Sequence, residues 1–282
     1  MSVLSSAQLE QVLSHLPALP QVVQRSIAAI DHEEVTQLQV AEILMQDPAL
    51  VAQLLRLANS PFYGLSGKVS SVQDACVILG LHTIRSTLIA AGAMRTFPLK
   101  QSQVYNREAL WHHALCVAGT AQFLAARLRL DEGSAFTAGL LHDIGKLALD
   151  DCCAAALAEV IQYQKANDSY AFEAEQVVLG IDHMTLGAKL AQHWKLPAIV
   201  IAAIAGHHGK NPEPGRAKLV DLVNLSDLLC HGLRIGTQED VLIPPLAAGC
   251  LERLGIKWNR IRDWLPEMDA LIQQCNTLPI GN

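Results

Sequence analysis

Seven side chains in this sequence are of the types that hold transition metals, and each stands in an apolar setting. His142 and Asp143 lie side by side in "AGLLHDIGKLAL" (138–149), with Lys146 one turn further on. His113 sits midway along "REALWHHALCVAGTAQFLAARLRL". His183 follows "LGID", His207 and His208 close "PAIVIAAIAGHH", and Asp227 lies within "VNLSDLLC". A charge in such surroundings costs several kcal/mol, on the order set by ion desolvation, unless it is paired or bound to a metal. One histidine of this kind is ordinarily a satisfied core residue. Several on separate segments, beside an adjacent His-Asp pair, point instead to a shared ion. Imidazole with carboxylate suits Fe, Mn, Ni or Zn and disfavours Mg. The expected cofactor is therefore a divalent transition metal, one or two ions. Lys146 cannot ligate while protonated, but it can pair with Asp143 or hold a phosphate oxygen.

Helices must position these groups, because helix signals recur along the chain and strand signals do not. In "LPALPQVVQRSIAAI", Pro20 stands where a first-turn proline belongs and Val22, Val23, Ile27 and Ile30 follow at helical spacing. "LQVAEILMQDPALVAQLLRLANSPFYG" predicts two helices. Asp47 caps the second, Pro48 opens it, Leu50, Val51, Leu54, Leu55 and Ala58 face inward, and Asn59-Ser60-Pro61 ends it. "SSVQDACVILGLHTIRSTLIAAGAM" predicts two more, with Ser71 as a cap and Gly80 as a stop. The run 107–130 is apolar on nearly every face and should be a buried central helix. A helix carrying "HDIGK" follows, then several more, ending in amphipathic "WNRIRDWLPEMDALIQQC". "GKNPEPGR" and "GTQEDVLIPP" are expected loops. The fold class is all-α, with an N-terminal helical lobe over 1–100 packed on a second lobe over 101–282.

Composition narrows the function classes. Apolar residues make up 51% of the 282 and charged ones 17%, so much of the chain must be core. No long uninterrupted apolar run and no basic n-region before an apolar h-region appear, so neither a membrane span nor a secretory signal is expected. Seven cysteines without a CxxC pair, two of them adjacent at 152–153, fit reduced thiols and a cytoplasmic location. The net charge of −6 argues against DNA as a partner, as does a helix-turn-helix-like stretch offering only His82 and Arg85 near its second helix.

The order His113, His142-Asp143, Asp227 resembles the H…HD…D ligand series of the HD superfamily of metal-dependent phosphohydrolases. "DPALVAQLLRLANSPFYG", "VSSVQDACVILGLHTIRS", "AGLLHDIGKLAL" and "GIDHMTLGAKLAQHWKLP" are similar in order and wording to the HDOD family, HD-related output domains of bacterial signalling proteins. The resemblance runs from about Leu16 to His208. It implies an all-helical HD-like fold and a regulatory module acting on a signalling partner. The related HD-GYP phosphodiesterases hydrolyse cyclic di-GMP with an H…HD…K…H…HH…D series. Carried over residue by residue, that series is His113, His142, Asp143, Lys146, His183, His207, His208 and Asp227. Asp143 and Lys146 would then be the catalytic pair. Asp143 would bridge two metals, and Lys146 would steady a phosphate. Two departures weigh against cyclic dinucleotide hydrolysis: "GKNPEPGR" replaces the Gly-Tyr-Pro motif, and Ala109 stands where three-metal enzymes have glutamate. Lys210 and Arg216 in or beside that loop could still attract a nucleotide or phosphate ligand.

The expectation is thus a regulatory HDOD-type protein with a metal in its HD site, the alternative being an active phosphohydrolase on a nucleotide or phosphodiester. The helical pattern fills the chain, so no receiver or GGDEF domain is expected within it. His112 points about 100° from His113 on a helix and should pack behind the ligands. His15, His32, His82, His193 and His231 are expected at the surface or its boundary without a role. Cys116 and Cys230 are expected to be inert core, and Asn59, Ser60 and Tyr63 to form a hydrogen-bonded turn. Each helix of the first lobe is short and apolar on more than one side. The first lobe should therefore not fold independently: a chain ending at Gln101 should be aggregated or molten, and a soluble product with sharp, dispersed NMR signals would contradict this.

Overall fold

The structure is a computed structural model that describes residues 6–32, 34–60, 67–100, 102, 104–209, 213, 215–233 and 242–275. Those residues form fifteen helices and no strand. Half of the "GKNPEPGR" loop, including Lys210, residues 236–241 of the "GTQEDVLIPP" loop, Pro61 and Tyr63 lie outside the described residues.

The N-terminal helices are α1 (Ser6–Ser14), α2 (Gln21–Ile30), α3 (Gln37–Leu44), α4 (Pro48–Ala58) and α5 (Val72–Thr96). Local chemistry sets their ends. Thr36 and Gln39 form a reciprocal capping box at the start of α3. The Asp47 and Ser71 side chains accept from the N–H groups of Leu50 and Asp74, at 3.1 and 3.0 Å. Gly80 has φ 75° and ψ 159°, so α5 is two helical segments meeting at a break that a glycine accommodates. Helix α5 is apolar and long enough by composition to cross a membrane, but 56% of the qualifying window is buried inside the fold. Of the expected Asn59–Ser60–Tyr63 turn, Asn59 forms its hydrogen bonds, within the N-terminal helices, whereas the buried Ser60 hydroxyl has no hydrogen-bond partner. The Asn59 amide donates to the carbonyls of Leu55 and Val69 and accepts from the Val69 N–H.

The remaining helices are α6 (Arg107–Leu128), α7 (Glu132–Leu141), α8 (Ile144–Cys152), α9 (Ala154–Asn167), α10 (Ala171–Leu179), α11 (His183–His193), α12 (Ala198–Gly206), α13 (Ala217–Gly232), α14 (Cys250–Leu254) and α15 (Trp258–Cys275). As the sequence pattern predicts, α6 is buried along most of its length and packs against α7, α13 and α15. One apolar core runs from Leu19 to Met268. The N-terminal helices join it through α5 on α7, and the Trp194 indole N–H donates to the Pro17 carbonyl at 2.7 Å.

A buried ion network fixes the far end of α8. The Arg107 guanidinium, at the start of α6, donates to Asp150 at 2.6 Å and to Asp151. Lys100 reaches Asp151 at 2.6 Å, and the Ser102 hydroxyl donates to Asp150. Removing Arg107 would strand the buried Asp150 carboxylate, a loss of about 3–5 kcal/mol. At its near end, α8 meets α11 almost backbone to backbone. A Cβ built on Gly145 would lie 1.9 Å from the His183 carbonyl oxygen.

Only a residue without a side chain fits at 145, so Gly145→Ala must push α8 away from α11. The expected cost is at least the roughly 1–3 kcal/mol of overpacking, read from urea unfolding. Gly232→Ala, where nothing lies within 4 Å of the added carbon, should change stability by less than about 0.5 kcal/mol.

Candidate metal centre

The "HDIGK" stretch is not one helix. His142 is the C-terminal cap of α7, and Asp143 (φ −100°, ψ 13°) is the residue at which the chain turns into α8. The sharp change of direction aims both side chains at the same interior point. Lys146, one turn into α8, places its ammonium 2.9 Å from Asp143 Oδ2, as the spacing predicts.

Three histidines are held by one ring nitrogen and present the other. His142 Nδ1 donates to the Gly139 carbonyl at 2.7 Å, and His207 Nδ1 to the Ile204 carbonyl at 2.8 Å. His183 Nδ1 donates to Glu175 Oε2 at 2.6 Å, and the same oxygen accepts the His183 backbone N–H at 2.7 Å. An acceptor at Nδ1 fixes the proton there and leaves Nε2 with its lone pair facing the centre. His142 Nε2 lies 3.3 Å from Asp143 Oδ2. The Nε2 atoms of His183 and His207 lie 3.3 and 3.6 Å from Asp143 Oδ1. Asp227 occupies the other side. Its Oδ1 is 3.0 Å from His113 Nε2, and its Oδ2 is 3.9 Å from His208 Nδ1.

All seven side chains singled out in the sequence therefore converge, from α6, the α7–α8 junction, α11, the end of α12 and α13. They fall into two groups, Asp143 with His183, His207 and His208, and His113 with His142 and Asp227. Within each group the potential ligand atoms lie within 4.8 Å of one another. Asp143 stands between the groups, one oxygen toward each.

The donor set fits a divalent transition metal. Among buried atoms, His142 Nε2, Asp143 Oδ1, His207 Nε2, His208 Nδ1 and Asp227 Oδ2 have no hydrogen-bond partner. Buried polar atoms normally find one, so five such atoms at one locus are a fit for a bound cation. Burial pushes both carboxyls up, but Lys146 and His142 outweigh it at Asp143, and the His113 and His231 hydrogen bonds outweigh it at Asp227. Both are held well below the usual carboxylate range. Burial pushes His113 down to about 4 against the pull of Asp227, and it pushes His208 well down, reinforced by His207 and His183. At His142 and His183 burial also pushes down, but Asp143 outweighs it at the first and Glu175 at the second, so both are raised; a metal, which requires ionised carboxylates and neutral imidazoles, would have to displace those two protons.

The structure corrects one expectation and adds residues not singled out before. His231 is not a bystander at the surface: its Nδ1 lies 3.0 Å from Asp227 Oδ1, and its ring is 4.8 Å from that of His113. Its position one helical turn after Asp227 on α13 was a legible signal. Glu175 is wholly buried and anchors His183. It reaches the centre across the turn from α10 to α11, and no helical spacing links the two. Tyr170 and Phe172 stack in sequence on His208, with ring centroids 5.4 and 5.0 Å apart. They line, with Lys146, His208 and His231, a cavity of about 20 Å³, room for about one water. His112 is half-buried, Cys116 and Cys230 are buried, and none of the three belongs to either ligand group. His15, His32, His82 and His193 are exposed, as expected.

The family model of the HDOD domain matches residues 16–210. The chain belongs to the HDOD family. An HDOD protein of unknown function from Geobacter sulfurreducens superposes with a TM-score of 0.77 at 25% identity, covering 95% of this chain and 97% of that one. A Shewanella amazonensis protein described as a phosphohydrolase gives a TM-score of 0.77 at 26% identity, covering 98% and 99%. A Treponema pallidum protein of undescribed function is 27% identical over 216 residues, 76% of this HDOD chain and 41% of its own length. Ribonuclease Y of Enterococcus faecalis is 35% identical over 138 residues, 49% of this chain and 20% of that enzyme. The HDOD chain thus spans well under half of either relative.

Glu175→Gln keeps the shape of the side chain but removes the charge that orients His183. Metal affinity should fall about 10- to 100-fold, measured by competition with a chromophoric chelator.

Proposed function

We propose that this HDOD chain is a regulatory signal-transduction module whose HD centre holds one or two divalent transition metal ions. The observation that carries the reading is the pair of buried ligand groups with five polar atoms lacking partners. His113, His142 and Asp227 would hold one ion, and His183, His207 and His208 a second, with Asp143 between them. A mixed imidazole and carboxylate set favours Fe, Mn, Ni or Zn. Ligands drawn from five places in the chain make the ion a cross-link of the helical core, so its gain or loss is a structural signal. That signal suits a module that reports to a signalling protein through its helical surfaces.

A second reading, metal-dependent hydrolysis of a nucleotide or phosphodiester, is favoured by Lys146, which faces the cavity while its ammonium rests on Asp143. Ribonuclease Y, named for cleaving RNA phosphodiesters, and the Shewanella protein described as a phosphohydrolase are relatives on this side. A bound metal would supply Lewis acidity and a water of lowered pKa. Asp143 would orient the centre, and Lys146 would hold a phosphoryl oxygen. Rate also requires a substrate held in line. In place of the Gly-Tyr-Pro motif of the cyclic di-GMP phosphodiesterases this chain has "GKNPEPGR", with no aromatic residue to stack on a guanine. The regulatory reading therefore ranks first.

Elemental analysis of the purified protein should find Fe, Mn, Ni or Zn at one or two per chain. Asp143→Ala should remove the metal and lower the melting temperature together; unchanged metal content would refute the ligand assignment. With Mn or Fe added, turnover of cyclic di-GMP above about 0.1 per second, roughly a hundredfold below the median enzyme, that is lost in His142→Ala would promote the hydrolase reading. Metal without turnover over cyclic dinucleotides and nucleoside phosphates supports the regulatory one.

A further inference from the structure

Away from the metal centre, the junction of α8 and α9 carries two adjacent cysteines whose sulfurs are brought together. On a continuous helix, neighbouring side chains diverge by about 100°. Cys153 interrupts the helix: it ends α8 and precedes α9 with φ −136° and ψ 26°. The Sγ atoms of Cys152 and Cys153 consequently sit 3.4 Å apart. Cys152 is exposed, so a small molecule can reach the pair, while Cys153 is buried.

We infer that Cys152 and Cys153 form a chelating dithiol whose ligand class is a trivalent arsenical. Direct joining of the sulfurs would need closure from 3.4 Å to about 2.05 Å within the small ring of adjacent residues. A bridging arsenic enlarges that ring by one atom and lets the sulfurs remain apart. The chemistry also separates the two sites: soft thiolates select a thiophilic centre, whereas the imidazole and carboxylate set selects borderline divalent ions. With phenylarsine oxide, the arsenic–oxygen bonds break and two arsenic–sulfur bonds form. Both thiol protons leave with the oxide as water, and arsenic stays trivalent.

The test uses the full chain, phenylarsine oxide and native mass spectrometry, in the presence of excess glutathione as a monothiol competitor. One adduct per chain is expected, mapped by peptide sequencing to residues 152–153 and released by ethanedithiol. Either Cys152→Ser or Cys153→Ser should weaken retention by about a hundredfold, the lower end of what linking two binding groups gains. Divalent metal content should stay unchanged in Cys152→Ser, which separates this site from the metal centre. No adduct, an adduct mapped elsewhere, or one that persists in both variants would overturn the inference. Should Cys153→Ser fail to fold, the exposed Cys152→Ser and the peptide map of the native protein decide it alone.

Discussion

Asp143 and Asp227 are two carboxylates buried almost completely within an apolar helical core, and the rest of the structure is arranged to make that tolerable. Water, which would normally solvate them, is excluded. Their charge is met by Lys146 and by imidazoles from four other places in the chain. Even so, one oxygen of each carboxylate and several ring nitrogens remain without partners. A core that leaves polar atoms unmatched at one point, and matches them elsewhere, has room in its chemistry for a cation.

That constraint explains the close packing around the centre. His183 can reach Asp143 only because α8 and α11 approach until the backbone at Gly145 touches the His183 carbonyl. Similarly, Gly139 lets α7 lie against the backbone of Ala118 on α6, where an added Cβ would come within 2.8 Å of its Cα. These approaches bring His113 and His142 to one locus. Helix α8 is then held at both ends, by the centre at Asp143 and by Arg107 at Asp150 and Asp151. Events at the α8–α9 junction and at the metal centre therefore act on one short rigid element.

The same geometry bears on both functional readings. The two candidate ligand groups could hold a metal ion, and Lys146 rests its ammonium on Asp143 beside them. Beside His208, Phe172 lies flat on the imidazole and Tyr170 on Phe172.

Much of this was determined by residue types and their local spacing. The all-helical class, the caps at Asp47 and Ser71, the break at Gly80 and the burial of α6 follow from propensity, capping and periodicity, all properties of a few neighbouring residues. The seven candidate ligand residues were legible because each is a polar group where its neighbours are apolar, and the family resemblance ordered them. Tertiary structure decided what depends on contacts between distant segments. Glu175 becomes an anchor only when α10 and α11 fold back on each other, and Phe172 covers His208 only through packing across 36 residues of sequence. His231 had a local signal, one turn from Asp227, but its value emerged only once α13 was set beside His113. The split of "HDIGK" between two helices likewise follows from packing, since nothing in the local pattern breaks a helix at His142. Local sequence specifies which groups are costly to bury. Only the three-dimensional arrangement specifies which of them meet to share that cost.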